Sequence, residues 1–334
     1  MIRIGLIGSG NISATHARAI AGLADSHLVA VYGRTLGRAQ AIAAASGARA
    51  FDSLDRFFDT PLDMVAIGTP SGLHGEHGAA AAGRRLHVLV EKPMEITAAR
   101  ADALTDAARR AGVTLGVVFQ DRMKPDIRAL KARLDAGELG SLRVVRGDVP
   151  WWRPPEYYGD STWRGTWALD GGGALMNQGI HTVDLLLWLC GPVTRVYGRT
   201  TTACHDIEVE DTAVALLEFA SGALGTLTAT TCAYPGRPRR IEIVGSKGTA
   251  VLEGDLLSGQ VGQVRQVGQD ARQASPVVSD VSAHQAVFED FIRACATGTP
   301  PNCGGDDGRR SVQLIEAIYQ SSRLARPVDV IQRT

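Results

Sequence analysis

Over its first 120 residues the chain alternates short, β-rich apolar runs with alanine-rich stretches of helical spacing, a rhythm that few folds accommodate. Ile2–Gly8, His27–Tyr32, Met64–Gly68, His87–Val90 and Thr114–Phe119 predict strands. Ile12–Leu23, Gly37–Ala45, Leu73–Ala82 and Ala98–Ala111 predict the helices between them. Strands apolar throughout are buried on both faces, and their alternation with helices implies a parallel, doubly wound sheet. Right-handed crossovers then leave few topologies.

After about Met123 the texture changes. A helix over Asp126–Ala136 leads to a strand at Leu142–Val149, a loop rich in Trp, Pro, Tyr and Arg from Pro150 to Trp167, and a glycine-opened helix, Gly173–Cys190. Strand candidates follow without helices between them: Thr194–Thr202, Thr212–Phe219, Ala223–Thr231, Arg239–Val244 and Thr249–Glu253. The polar stretch 259–275 predicts a weak strand and a surface loop, and helices at Ser282–Ala296 and Gly308–Ala325 close the chain. The expected fold class is α/β. Residues 1–122, whose first strand-to-helix turn carries Gly8-Ser9-Gly10, are expected to form a Rossmann dinucleotide-binding domain, and residues 123–334 an α+β domain with an open, largely antiparallel sheet for substrate binding and oligomerisation.

Charge and cysteine content narrow the function classes. With 35 basic and 35 acidic residues, the chain has no long-range field for nucleic acid or an anionic membrane. No apolar run approaches the roughly 20 residues that span a bilayer, and the N-terminus reads as a strand rather than a signal peptide. Five cysteines without a Cys-x-x-Cys pair fit free thiols in a reducing cytoplasm, with no metal site expected. His74-Gly75-Glu76-His77 lacks the spacing of a zinc protease helix, and Cys204-His205-Asp206 reads as a turn.

Gly8-Ser9-Gly10-Asn11-Ile12-Ser13 stands where the first strand turns into the first helix. Two glycines permit the tight turn and close approach of a pyrophosphate to a helix N-terminus, while Ser13 is small enough for helix and strand to pack. At the end of the second strand, Tyr32-Gly33-Arg34-Thr35 offers no carboxylate for a ribose 2′-hydroxyl. Arg34 and Arg38 instead suit a 2′-phosphate, which favours NADP over NAD.

Two further motifs carry chemistry: Glu91-Lys92-Pro93, and the run from Asp170-Gly171-Gly172-Gly173 through Asn177-Gln178-Gly179-Ile180-His181 to Asp184. Together with Gly8-x-Gly10, they make the chain resemble the glucose–fructose oxidoreductase / inositol dehydrogenase / rhizopine catabolism (Gfo/Idh/MocA) family. Ser9-Gly10-Asn11-Ile12 with His16, Thr69-Pro70-Ser71-Gly72-Leu73-His74, Trp163-Arg164-Gly165 and Gly305-Asp306-Asp307-Gly308-Arg309-Arg310-Ser311 extend the resemblance through most of the chain. It implies an NAD- or NADP-dependent enzyme that transfers a hydride at a CH–OH or keto carbon of a sugar, polyol or sugar derivative. Lys92 and His181 match the family's catalytic pair.

His181 suits proton transfer because imidazole titrates near neutrality, and Lys92 can stabilise charge developing on the substrate oxygen. The family often has Asp where Asn177 stands here. Asn can hydrogen-bond substrate but cannot ionise, so the proton falls to His181. Asp184, on the same helical face as His181, either orients the imidazole or bonds backbone.

The resemblance assigns Thr69, Pro70, Ser71 and His74 to the adenosine and ribose side of the cofactor. Gly8 to Ile12, Gly33, Arg34, Arg38, Glu91, Lys92, Gln120, Trp163 and Arg164 complete the cofactor contacts. Arg122, Trp163 and His284 join Lys92, Asn177 and His181 as substrate candidates. It also implies a homodimer or homotetramer assembled through the C-terminal sheet. An NAD-dependent glycoside hydrolase would carry a different His motif, and a nonenzymatic sensor would not need both Lys92 and His181.

Overall fold

In the computed structural model, which describes residues 1–259 and 280–331, the N-terminal rhythm closes into a six-stranded sheet. The elements are β1 (Ile2–Ile7), α1 (Asn11–Ala21), β2 (Ser26–Tyr32), α2 (Leu36–Ala43), β3 (Arg49–Phe51), α3 (Leu54–Phe58), β4 (Met64–Ile67), α4 (His74–Ala82), β5 (His87–Glu91), α5 (Ala98–Ala111) and β6 (Leu115–Val118). Their order is β3-β2-β1-β4-β5-β6, and every pairing is parallel. The order reverses between β1 and β4, and the carboxyl ends beside such a reversal are where open α/β sheets hold ligands. Met64–Ile67 is buried throughout, as the apolar runs require. β3 and α3 were not expected; with three and five residues, they are too short for a period to show.

The second unit continues through α6 (Pro125–Asp135), β7 (Leu142–Pro150), α7 (Glu156–Gly159), α8 (Ile180–Cys190), β8 (Val193–Thr201), β9 (Thr212–Phe219), β10 (Leu224–Thr230), β11 (Arg240–Gly245), β12 (Thr249–Glu253) and β13 (Leu256–Gly259). After it come α9 (Ser282–Thr297), α10 (Gly305–Leu324) and β14 (Val328–Asp329). The eight-stranded sheet has the order β13-β12-β11-β7-β10-β9-β8-β14. It is antiparallel except where β10 lies parallel to β7. Side chains alternate between faces. Leu186 and Thr182 of α8 pack on Gly147, and Ile318 of α10 packs on Gly198, covering one face. The other face leaves Tyr197, Val214, Leu216 and Leu224 exposed. Most of the expected loop at 259–275 lies outside the described residues. Among those residues no helix is long and apolar enough to cross a membrane.

Two expectations are corrected here. The second domain does not run unbroken from 123 to the C-terminus: residues 1–120 cluster with 280–309, and 121–259 with 310–331. The cause is α9, whose Phe288 ring packs 5.4 Å from the His16 ring of α1 and whose Phe291 fills the space over Gly116 of β6. The helix expected from Gly173 starts instead as a π-helical turn, Ala174–Gly179, before α8. The Glu210 carboxylate accepts the amides of Gly173 and Leu175, at 2.9 and 2.8 Å, and so shapes that turn.

Candidate active site

At the end of β1 the backbone of Gly8 has φ +133°, and a Cβ there would lie 2.5 Å from the Gly68 carbonyl oxygen. Ser13 is buried against Gly8 and Gly68, so β1, α1 and the end of β4 approach closely. Gly10 caps α1 with no side chain satisfying the first amides, and the space beside it is open. Those unsatisfied amides, with the positive end of the helix dipole, suit a pyrophosphate. The buried Ser13 hydroxyl, which has no hydrogen-bond partner among the described residues, adds an unused polar atom at this turn. The residues therefore fit a dinucleotide. Ser9 packs on Gly33 at the end of β2. Beyond it, Arg34 and Arg38 are exposed, and neither guanidinium has an ion-pair partner among the described residues.

Beyond β4, Thr69 and Pro70 are half-buried and Ser71 is buried. Thr69 Oγ1 lies 3.2 Å from His77 Nδ1. His74 was expected to face the cofactor, but only 1% of it is exposed. Its Nδ1 lies 2.8 Å from the Pro93 carbonyl oxygen and its Nε2 2.9 Å from that of Thr69. Burial pushes this imidazole's pKa down. The ring lies between two backbone carbonyls, one of them next to Lys92, and in its neutral form donates to one of the two at a time.

Lys92 itself is half-buried at the end of β5, followed by a cis peptide to Pro93. Glu91 Oε2 accepts the Lys92 amide at 3.1 Å, while Oε1 takes a 2.8 Å bond with His16 Nε2. Burial works against ionisation of Glu91, yet the His16 hydrogen bond and the charges of His16, His284 and Lys92 bring its carboxyl down to about 2. Past Pro93, the buried Glu95 accepts from Gly75, Ile96 and Arg100, at 2.8, 2.7 and 2.9 Å. The main chain carrying the lysine is therefore held from both sides. His284, expected at the substrate, is instead 3% exposed, its ring 6.1 Å from that of His16. Gln120 is half-buried just beyond β6.

In the second unit, the π-helical turn presents Asn177 and leads into His181, the second residue of α8. Asn177 Nδ2 donates to Asp170 Oδ1 at 2.6 Å, and its Oδ1 accepts from Gln178 at 3.0 Å. Gln178 also donates to the Tyr157 hydroxyl at 2.7 Å and accepts from Arg153 at 2.7 Å. Arg164 stacks 4.5 Å over the Tyr157 ring and 5.4 Å from that of Trp163, and both Arg164 and Trp163 are half-buried. His181 Nδ1 lies 3.8 Å from Asp121 Oδ2. Burial opposes ionisation of Asp121, but Arg239, His181 and Lys124 hold it well below the usual carboxylate range. Burial pushes Glu210 up to about 7, against the hydrogen bonds from Leu175, Gly173 and Tyr319.

Arg122 is not available to substrate. Its guanidinium grips Asp184 through two bonds of 2.8 and 2.6 Å, is 2% exposed and lies 5.4 Å over the Trp188 ring. Asp184 holds that guanidinium through both carboxylate oxygens, a partner the sequence reading did not name. The sequence reading missed Asp170, Gln178, Asp121 and Arg239 as site residues. The first two lie in the glycine-rich motif and were within reach of it. The Asp121–Arg239 pair spans 118 residues and leaves no local signal.

Comparisons with known proteins agree over most of the chain. Residues 2–119 match the model of an oxidoreductase family with an NAD-binding Rossmann fold, and residues 127–251 that of the GFO/IDH/MocA C-terminal domain. The WlbA dehydrogenase of Bordetella pertussis, solved in complex with NADH and UDP-GlcNAcA, is 35% identical, with 99% of each chain covered and a TM-score of 0.89. The rhizopine catabolism protein MocA of Rhizobium meliloti is 28% identical, covering 95% of this chain and 94% of that protein. The D-xylose 1-dehydrogenase (NADP(+)) 2 of Haloferax volcanii is 27% identical, covering 98% and 99%.

Proposed function

The chain belongs to the Gfo/Idh/MocA family of nicotinamide-dependent oxidoreductases, and on that premise we propose a dehydrogenase of a sugar, polyol or sugar derivative. In this reading Lys92 polarises the reacting oxygen and His181 carries its proton. The observation that carries it is the frame around Lys92, whose amide is bound by Glu91 and whose next carbonyl by His74. A lysine with a solvated, structural role needs no such fixing, whereas electrostatic stabilisation of a developing charge does.

A nicotinamide dinucleotide, when bound, supplies the hydride acceptor for a carbinol carbon or the donor for a ketone. Gly8, Ser9, Gly10, Asn11 and Ile12 would hold its pyrophosphate, and Gly33, Arg34 and Arg38 its ribose. Thr69, Pro70 and Ser71 would flank the adenosine side. Glu91, Lys92, Gln120, Trp163 and Arg164 would stand at the nicotinamide end. NADP is favoured because two exposed guanidiniums occupy the place of the acid that selects NAD.

On the substrate, Asn177 orients a hydroxyl through an amide already held by Asp170 and Gln178. His181 takes or returns the proton, and the negative charge of Asp121 stabilises the imidazolium formed. Residues 1–120, completed by 280–309, carry most of the cofactor contacts in this proposal. The second unit holds the substrate and, through the outer face of its sheet, a homodimer or homotetramer. Five free cysteines support a cytoplasmic setting.

The test is nicotinamide absorbance with NADP and NAD against a carbohydrate panel headed by UDP-GlcNAcA, the ligand of the 35% identical relative. His181→Ala should lower turnover by about 10²–10⁴-fold while cofactor affinity holds, and Lys92→Ala should lower turnover by a comparable or larger factor. Near-normal turnover in either variant would remove that residue from the chemistry. Failure of the whole panel to reduce either nucleotide would sink the dehydrogenase reading.

A further inference from the structure

Away from Lys92 and His181, the second unit gathers four side chains whose chemistry the proposed reaction does not use. Cys204 and His205 lie in the loop between β8 and β9, and Cys232 follows β10. Pairing of Thr212 with Thr230 brings the two stretches together, although His205 and Cys232 stand 27 residues apart in sequence. The Sγ atoms of Cys204 and Cys232 and a carboxylate oxygen of Asp211 lie within 4.8 Å of one another. His205 Nδ1 is 3.9 Å from Cys232 Sγ and 3.4 Å from Asp211 Oδ2.

The second ring nitrogen of His205 gives the cluster its direction. Nε2 donates to the Arg153 carbonyl oxygen at 2.9 Å, and in the neutral ring that puts the lone pair on Nδ1, on the side of Cys232 and Asp211. A carbonyl that fixes the far nitrogen is the usual outer partner of a metal-bound imidazole. Asp211 does the same for the loop. Its carboxylate accepts the amides of Ala203, Cys204 and His205 at 2.9, 2.7 and 3.1 Å, and so positions two of the donors. The side chains of His205 and Asp211 are 3% and 0% exposed, while Cys204 is exposed and provides an entry.

We propose that Cys204, His205 and Cys232 bind a soft divalent cation, zinc foremost, with Asp211 organising the loop and balancing charge. Bonds of about 2.3 Å to sulfur and about 2.0 Å to nitrogen give a tetrahedron with edges of about 3.5–3.8 Å. The 3.9 Å between His205 Nδ1 and Cys232 Sγ is close to that edge, and the exposed Cys204 side chain must swing in to complete the set. Two thiolates and an imidazole are a zinc-type donor set, and the fourth corner falls to the Asp211 carboxylate or to water. Binding displaces the two thiol protons to solvent, with no change of oxidation state. The ion would tie the β8–β9 loop to the chain leaving β10. It would also steady Arg153, whose guanidinium holds Gln178.

The experiment uses the full chain, reduced and stripped of metal with a chelator, titrated with Co²⁺ and then Zn²⁺. One Co²⁺ per chain should produce a thiolate charge-transfer band and the strong visible bands of a tetrahedral ion, with proton release and displacement by Zn²⁺. Cys204→Ser and Cys232→Ser should lose the charge-transfer intensity, His205→Gln should alter the visible bands, and Cys295→Ser should leave both intact. Cys204 is exposed, so its serine variant keeps the test independent of folding. The proposal is overturned if folded, reduced protein gives no stoichiometric cobalt–thiolate band. It is equally overturned if the band survives both serine variants, or if the two thiols only oxidise to a disulfide and take up no metal. None of these readouts depends on dehydrogenase activity.

Discussion

Arg34 stands two residues beyond β2, where an acidic side chain would repel a 2′-phosphate. It is exposed and has no ion-pair partner among the described residues, so Arg34→Ala should raise KM for NADP by about tenfold or more. KM for NAD should move little. Equal effects on both cofactors, measured by initial rates, would take the phosphate away from Arg34. Asn177 is a comparable single-residue choice. Its amide donates to Asp170 at 2.6 Å, so an aspartate at 177 would face a second carboxylate at that distance, and one of the two would have to stay protonated. Here the amide does what a shared proton would do in a carboxyl pair. The motif made Asn177 visible in the sequence, but the identity of its partner came only with the fold.

At the scale of elements, the π-helical turn Ala174–Gly179 sets the register of Asn177 and His181. Its entry depends on Gly173: a Cβ there would overlap the Glu210 backbone carbonyl oxygen, while the Glu210 side chain binds the Gly173 and Leu175 amides. Gly173→Ala should therefore cost about 1–3 kcal/mol in urea denaturation and depress turnover as the turn shifts. Wild-type stability and turnover together would show that the turn does not need that close approach.

The strands of the first sheet were legible because burial on both faces writes an unbroken apolar run, as in Met64–Ile67. β3 and the π-helical turn were not, since neither is long enough to impose a period. Arg122 and His284 were misread for another reason. Each has the chemistry of a ligand-binding side chain, and only the partners, Asp184 across 62 residues and His16 on α1, reveal that it is already engaged.

For the molecule as a whole, the outer face of the larger sheet sets the expectation for assembly. Val214, Leu216 and Leu224 are 51%, 57% and 62% exposed, and Tyr197 pairs directly with Leu216 on the same face. Arg195, Arg199 and Glu218 border this apolar strip, and exposed apolar side chains grouped in this way call for cover. Light scattering at micromolar concentration should find a dimer or tetramer, and Leu216→Glu should shift it towards monomer with the fold retained. A wild-type monomer would refute assembly through this face.

The return of α9 to α1 has a different kind of consequence, one of timing. Residues 1–120 emerge first during synthesis, but their unit stays incomplete until Phe288 and Phe291 arrive, with nearly the whole chain already made. Until then the flank of α1 and the surface over Gly116 stand bare. The first part of this protein to be translated is thus among the last to be finished. A message cut short anywhere before α9 would yield a half-clad sheet, a natural target for chaperones and proteases.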